Sequence, residues 1–197
     1  MGYAFTNTAA ATTAVTNRFV ASTNMSLTTY TIANASPTWS GGCLVTVTHT
    51  TVAGTDTLGT MTLVGTDLAG RPQSETLTPV ADSTVTSTKV YRTVTSLTSL
   101  GWAAVSTADT IVAGCAAGNV VCGSQGTLGG VLVNNSVAAA VTISDASRTI
   151  ITIPVSQAAG TFYPLGVDFG GRLVVSTTST NDITVFHTGT TPSSYAL

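Results

Sequence analysis

The sequence predicts an all-β protein: two small antiparallel β-sandwich or jelly-roll-like units behind an extended N-terminal arm. Three observations predict it. Roughly one residue in five of the 197 is threonine, and Thr and Val favour strands because their branched Cβ fits a pleated surface. Lysine and glutamate, common on surface helices, occur once each, as Lys89 and Glu75. No window carries a 3.6-residue apolar period, whereas short alternating runs recur about every ten residues between Gly, Asn, Asp and Pro.

Residues 1–26 are rich in Thr, Ala and Asn and show little periodicity. They read as the extended arm, ordered where it packs on a neighbour. Its anchors include Tyr3, Phe5 and Phe19, and with Arg18 these are the candidate partner contacts. Residues 27–113 read as the first β domain. Leu27–Ile32 and Cys43–Thr50 alternate across the turn signals Ser36-Pro37 and Gly41-Gly42. A hairpin follows, with Met61, Leu63 and Leu77 as apolar positions, Gly65–Pro72 as the turn and Glu75 on the solvent face. Lys89–Leu97 reads as one alternating strand, and Asp109–Ala113 as the last of the domain. Residues 114–126, GCAAGNVVCGSQG, read as a linker or a change of sheet. Residues 127–197 read as the second β domain, with strands at Gly130–Asn134, Ala139–Ser144, Thr149–Pro154, Gly171–Thr177 and Asp182–His187 and a turn-like tail.

Composition argues against several functions. Charged residues make up 7% of the chain, against roughly a quarter in ordinary soluble domains. Six scattered cations form no basic stripe, which speaks against nucleic acid and against a membrane surface. No apolar run approaches the roughly 18 residues of a spanning helix. The first residues lack the basic and apolar regions of a signal peptide. Three cysteines, Cys43, Cys115 and Cys122, do not make a disulfide framework and read as free thiols, although Cys115 and Cys122 could meet across a turn.

Reactive constellations are equally scarce. All seven aspartates sit in turn-like contexts, where the side chain bonds nearby backbone N–H groups, so Glu75 has no evident acid–base partner. Cys43 and His49 share a strand face but stand roughly 20 Å apart, too far for one zinc ion. Cys115-x6-Cys122 is not a zinc-knuckle spacing, and the Gly and Ser around Cys122 do not make a nucleophile elbow. His49 and His187 are the only candidate imidazole bases. No nucleotide-binding glycine pattern occurs. No catalytic, cofactor or metal residues are therefore expected. Trp39 and Trp102 read as caps on the first domain's core, with a carbohydrate platform as the alternative.

A chain this neutral and strand-rich has little charge with which to blunt its sheet edges, so its surface is expected to be covered by copies of itself or by a larger partner.

The run VTVTHTTVAGTDTLGTMTLVGTDLAGRPQSETLTPVADSTVTSTKVYRTVTSLTSLGW, Val45–Trp102, resembles a segment of tailed-bacteriophage virion proteins. Gly65-Thr66-Asp67, Gly70, Ser74-Glu75-Thr76-Leu77-Thr78, the TKVYRTVTSLT strand and ADTIVAG carry the resemblance. Gly130–Asp145 and Val174–Phe186 are similar to small β modules of phage structural proteins. Within that class the chain looks closest to capsid decoration, or cement, proteins. The resemblance implies a non-enzymatic homo-oligomer that binds the major capsid protein or other virion proteins and resides in the virion, assembled in the host cytoplasm. A head fibre, a tail or neck component, or a host-surface glycan-binding module are the alternatives.

Overall fold

The computed structural model describes residues 4–8, 11–104, 106–145 and 147–188, the first of these segments as backbone. The described residues form sixteen strands and no helix. In chain order they are β1 (Ala4–Thr8), β2 (Val15–Asn24), β3 (Thr29–Tyr30), β4 (Cys43–Thr50), β5 (Thr60–Thr66), β6 (Pro72–Leu77), β7 (Thr84–Tyr91) and β8 (Thr93–Leu100). Then come β9 (Thr110–Cys115), β10 (Asn119–Cys122), β11 (Gly126–Val133), β12 (Val141–Ser144), β13 (Thr149–Ile153), β14 (Phe162–Phe169), β15 (Leu173–Thr177) and β16 (Ile183–His187). They pair antiparallel into four four-stranded sheets, ordered β1-β16-β11-β14, β10-β15-β12-β13, β2-β9-β4-β7 and β3-β8-β5-β6. The protein is all-β, as the threonine-rich alternation predicts.

The sheets belong to two compact units, and the chain crosses between them repeatedly. One unit holds residues 14–37 and 43–116; the other holds 1–13, 38–42 and 117–197. We call them the 43–116 unit and the 117–197 unit. The expected arm at 1–26 is divided between them. β1 adds to β16, with Ala4 opposite His187 and Thr8 opposite Ile183. β2 adds to β9. The expected linker at 114–126 instead contains the end of β9 and all of β10, whose four residues are buried.

In the 43–116 unit, β4 shows the ideal half-buried pattern: Cys43, Val45, Val47 and His49 face inward, and Leu44, Thr46 and Thr48 are half-buried on the other face. Alternation of this kind sets the register, because a one-residue slip would turn every apolar side chain out. Lys89–Leu97 is not one strand. The chain turns at Arg92, so β7 lies in one sheet and β8 in the other. The corner needs Gly65: a Cβ there would run into the Thr93 carbonyl. The hairpin β5–β6 forms as expected, with Met61 opposite Leu77 and Thr66 opposite Pro72. In its turn Asp67 Oδ1 accepts the N–H groups of Ala69 at 2.8 Å and Arg71 at 2.9 Å.

The 117–197 unit packs both of its sheets on one core. Leu128, Val131 and Val133 of β11 and Ile183 and Val185 of β16 meet Val141, Ile143, Ile153, Leu173 and Val175 from the other sheet. β10 lies in a segment with little apolar periodicity, all four of its residues being buried, whereas β14 alternates, with Tyr163, Leu165 and Val167 half-buried and Phe169 buried between exposed neighbours.

Candidate functional site

Of the four expected partner contacts, Tyr3 lies outside the described residues. Phe5 lies on β1 opposite Phe186, and its side chain is outside the description. Phe19 is a core residue, 1% exposed, which corrects the expectation that it projects from an arm. The cause is local. Phe19 and Val20 are consecutive buried residues, and β2 spends six residues, Val15 to Val20, against only three, Cys115 to Ala113, on β9. Such a bulge turns neighbouring side chains the same way. Arg18, half-buried, is held internally: Nε donates to the Ser36 carbonyl at 2.6 Å and Nη2 to that of Pro37 at 3.4 Å. Asn34 Nδ2 returns a bond to the Arg18 carbonyl at 3.2 Å.

The structure gathers a polar cluster that the sequence did not single out. His49, at the inward end of β4, is 1% exposed. Its Nδ1 accepts the Asp82 N–H at 3.3 Å. That leaves the proton on Nε2, which donates to Asp56 Oδ2 at 3.1 Å, beside Met25 Sδ at 3.2 Å. The Trp102 ring stands edge-on to the imidazole, 6.0 Å away. Asp109, also buried, binds two neighbouring loops: Oδ1 accepts Val52 N–H at 2.6 Å and Ala53 N–H at 3.2 Å, and Oδ2 accepts Ser106 N–H at 2.8 Å. The Val52 N–H does most to hold the Asp109 carboxyl below its usual range; burial opposes this, while Ser106, Ala53 and Asp56 reinforce it.

Chemically, the cluster fastens loops. Both imidazole nitrogens are engaged within the unit, so neither is presented to a substrate as a general base. No group of three or more His, Cys, Asp or Glu suited to a metal ion occurs among the described residues. His187 lies on the buried face of β16 in the 117–197 unit.

Glu75 is not on the solvent face. It shares the inward face of β6 with Leu77 and stands opposite buried Leu63. From there its carboxylate reaches β7, at the edge of the other sheet. Oε1 accepts the Thr88 N–H and hydroxyl, both at 2.8 Å, and Oε2 accepts the Lys89 N–H at 3.1 Å. These donors sit where the β4–β7 register slips, between Leu44 opposite Val90 and Thr46 opposite Thr86. A bulge leaves backbone N–H groups without ladder partners, and Glu75 supplies the acceptor. Lys89 Nζ donates back to the Ser74 carbonyl at 2.7 Å. Behind this bridge the Tyr91 hydroxyl is buried with no hydrogen-bond partner among the described residues. Burial, then the negative charge of Glu75, push its phenol up to about 12. Glu75→Ala is expected to destabilise the 43–116 unit by about 2 kcal/mol, because charge-assisted bonds to orphaned N–H groups are lost. Glu75→Gln should retain part of that. Urea denaturation checks both; equal effects would show that the carboxylate charge is immaterial.

The other candidates are also structural. Trp39 is 6% exposed and donates Nε1–H to the Gly42 carbonyl at 3.1 Å. Half-buried Trp102 donates to the Thr60 carbonyl at 3.0 Å. Trp39 falls in the 117–197 unit, so it does not cap the first domain's core, and the two indoles form no common platform within either unit. All three cysteines are free and buried. Hydrogen bonding to Cys115, then burial, push the Cys43 thiol well above its ordinary range, which suits an inert core thiol. An open groove of about 240 Å³ in the 117–197 unit is lined by residues such as Thr12, Thr142, Ser176 and Thr177 and by no ionisable group. It falls below the roughly 300–1,000 Å³ of small-molecule sites.

Asp145 gives this unit a measurable acid response. Oδ1 accepts the Ser147 N–H and hydroxyl at 2.8 Å and the Arg148 N–H at 2.9 Å. The Ser147 N–H, then its hydroxyl, hold the carboxyl down to about 2 against the opposing effect of burial, with help from Arg148 and Gly170. A carboxyl depressed in the folded state stabilises fully above its unfolded value, and the gain is lost as pH falls through the folded one. Thermal stability of the 117–197 unit should therefore drop between about pH 4 and pH 2. Asp145→Asn should flatten that limb in melts followed by circular dichroism; an unchanged limb would remove Asp145 as its source.

No family model matches the chain, and no curated protein or solved structure matches it.

Proposed function

We propose that the chain is a non-enzymatic structural protein of a phage particle: a capsid decoration protein that stabilises the shell through repeated contacts with capsid subunits and with copies of itself. The observation that carries this reading is where the reactive side chains are. Asp67, Asp109 and Asp145 satisfy backbone N–H groups, Glu75 bridges two sheet edges, and His49 has both nitrogens engaged. What faces out is a threonine-rich surface on a chain with 7% charged residues. Such a surface favours salt-insensitive, hydrogen-bonding and apolar contact over chemistry. The resemblance of Val45–Trp102 to phage virion segments supports the same reading, and a shell supplies the symmetry that makes many weak contacts add.

Cryo-electron microscopy of the particle that carries the protein tests it. Density at junctions between capsid subunits is the expected result. Density confined to the neck, tail or fibre would overturn the decoration role while keeping the structural class. A particle with no copy would overturn the virion reading.

A further inference from the structure

We propose that β13 is a docking edge and that its occupant is the β13 strand of a second copy of this chain. The inference deepens the reading above and rests on its premise that the protein self-associates as a structural subunit.

A sheet edge offers unpaired N–H and C=O groups, and stable proteins blunt edges with charge, proline, bulges or cover. Most edge strands here are blunted. β14 carries Pro164 and Gly166, the latter at φ 110°, and Arg148 Nη2 donates to its Asp168 carbonyl at 2.9 Å. β6 and β7 are tied together by Glu75 and Lys89. β2 is bent by bulges and holds Arg18. β3 is two residues long. β10 is met on its outer side by Gly42. β1 carries Asn7, a poor strand former.

β13 is different. Its sequence, Thr149-Ile150-Ile151-Thr152-Ile153, has no charge and no proline. Among the described residues it pairs with β12 alone. Its register slips only at the Thr149 end, and Ile151–Ile153 run regularly against Val141–Ile143. Thr149 and Thr152 are exposed, and just beyond the strand Val155 is 56% exposed. This is the aggregation-prone kind of edge that survives when something is meant to cover it.

The strand itself fits the requirement for the cover. A two-fold axis through Thr152 sets Thr152 against its own copy and Ile151 against Ile153 of the other chain. Thr–Thr and β-branched pairs are favourable across strands, and no like charges meet. The nearest charge, Arg148, is already engaged by Asp145 Oδ2 at 3.7 Å and by Asp168. The contact is isologous, so it closes at two chains.

Sedimentation velocity and native mass spectrometry of the full chain test it. The wild type should be a dimer. The double variant Thr149→Lys, Thr152→Lys should weaken dimerisation at least tenfold with an unchanged circular dichroism spectrum, since both side chains are exposed. A mixture of Thr152→Lys with Thr152→Glu chains should recover a mixed dimer. A monomeric wild type, an undiminished double-lysine dimer, or a mixture that fails to pair would each overturn the inference. Particle binding by the same proteins separates the two readings. A monomeric wild type that still binds particles overturns this inference alone; a β13-paired dimer that binds none overturns the virion reading alone.

Discussion

His49→Ala is expected to destabilise the 43–116 unit by about 3–5 kcal/mol, because a buried ring is lost together with both of its hydrogen bonds. The substitution removes the donor to Asp56, whose side chain is 1% exposed. It also removes the acceptor of the Asp82 N–H and opens a void beside Met25 and Trp102. A buried carboxyl that loses its closest donor costs more than a lost surface contact, even with the Thr51 hydroxyl still 3.5 Å from Oδ2. The consequence should be local to the three loops. Hydrogen exchange should speed up in residues 51–59, 78–83 and 101–109, with β11 and β16 unaffected. The pair is testable as a cycle. His49→Ala with Asp56→Ala should cost less than the sum of the two singles, since each single variant already breaks the hydrogen bond that the two side chains share. A single-variant cost below about 1 kcal/mol would show that the imidazole fastens nothing.

Gly114→Ala is expected to cost about 3 kcal/mol, more than most single-methyl additions to a core. A Cβ at this position would run into the Val15 carbonyl and the backbone of Thr16. The obstacle is main chain, not the end of a flexible side chain, so β2 itself has to move. Moving it takes Phe19 and Val20 out of the core. Gly170→Ala is the control: open space surrounds its Cβ position, and a change within about 0.5 kcal/mol is expected there. Urea denaturation of the two variants, with peptide-resolved exchange over residues 15–24, makes the comparison. Equal stability of the two would show that the bulge yields freely.

These two sites explain what could be read along the chain and what could not. β4, β12, β15 and β16 were legible because each runs between turn residues with buried side chains on alternate positions, and β13 because its β-branched run stands between turn signals. The hairpin at Asp67 was legible because its turn chemistry is local: donor and acceptor lie within four residues. The cysteines read as free thiols are free. β2 was hidden because a bulge puts Phe19 and Val20 on the same side, which erases the period of two that marks a strand. The corner at Arg92 was hidden because alternation continues through it while the chain changes sheets.

Propensity, periodicity and Asx turns act over a few residues, so the β class, the turns and the poverty of reactive groups can be read along the chain. Which strands are neighbours is set by packing in three dimensions. That packing alone placed Glu75 against β7, thirteen residues away, and Asp109 on the N–H of Val52, fifty-seven residues away. Those partners meet because burial of a shared core sets the register of whole sheets, and the polar groups stranded by bulges and loop ends then take the nearest acceptor in space.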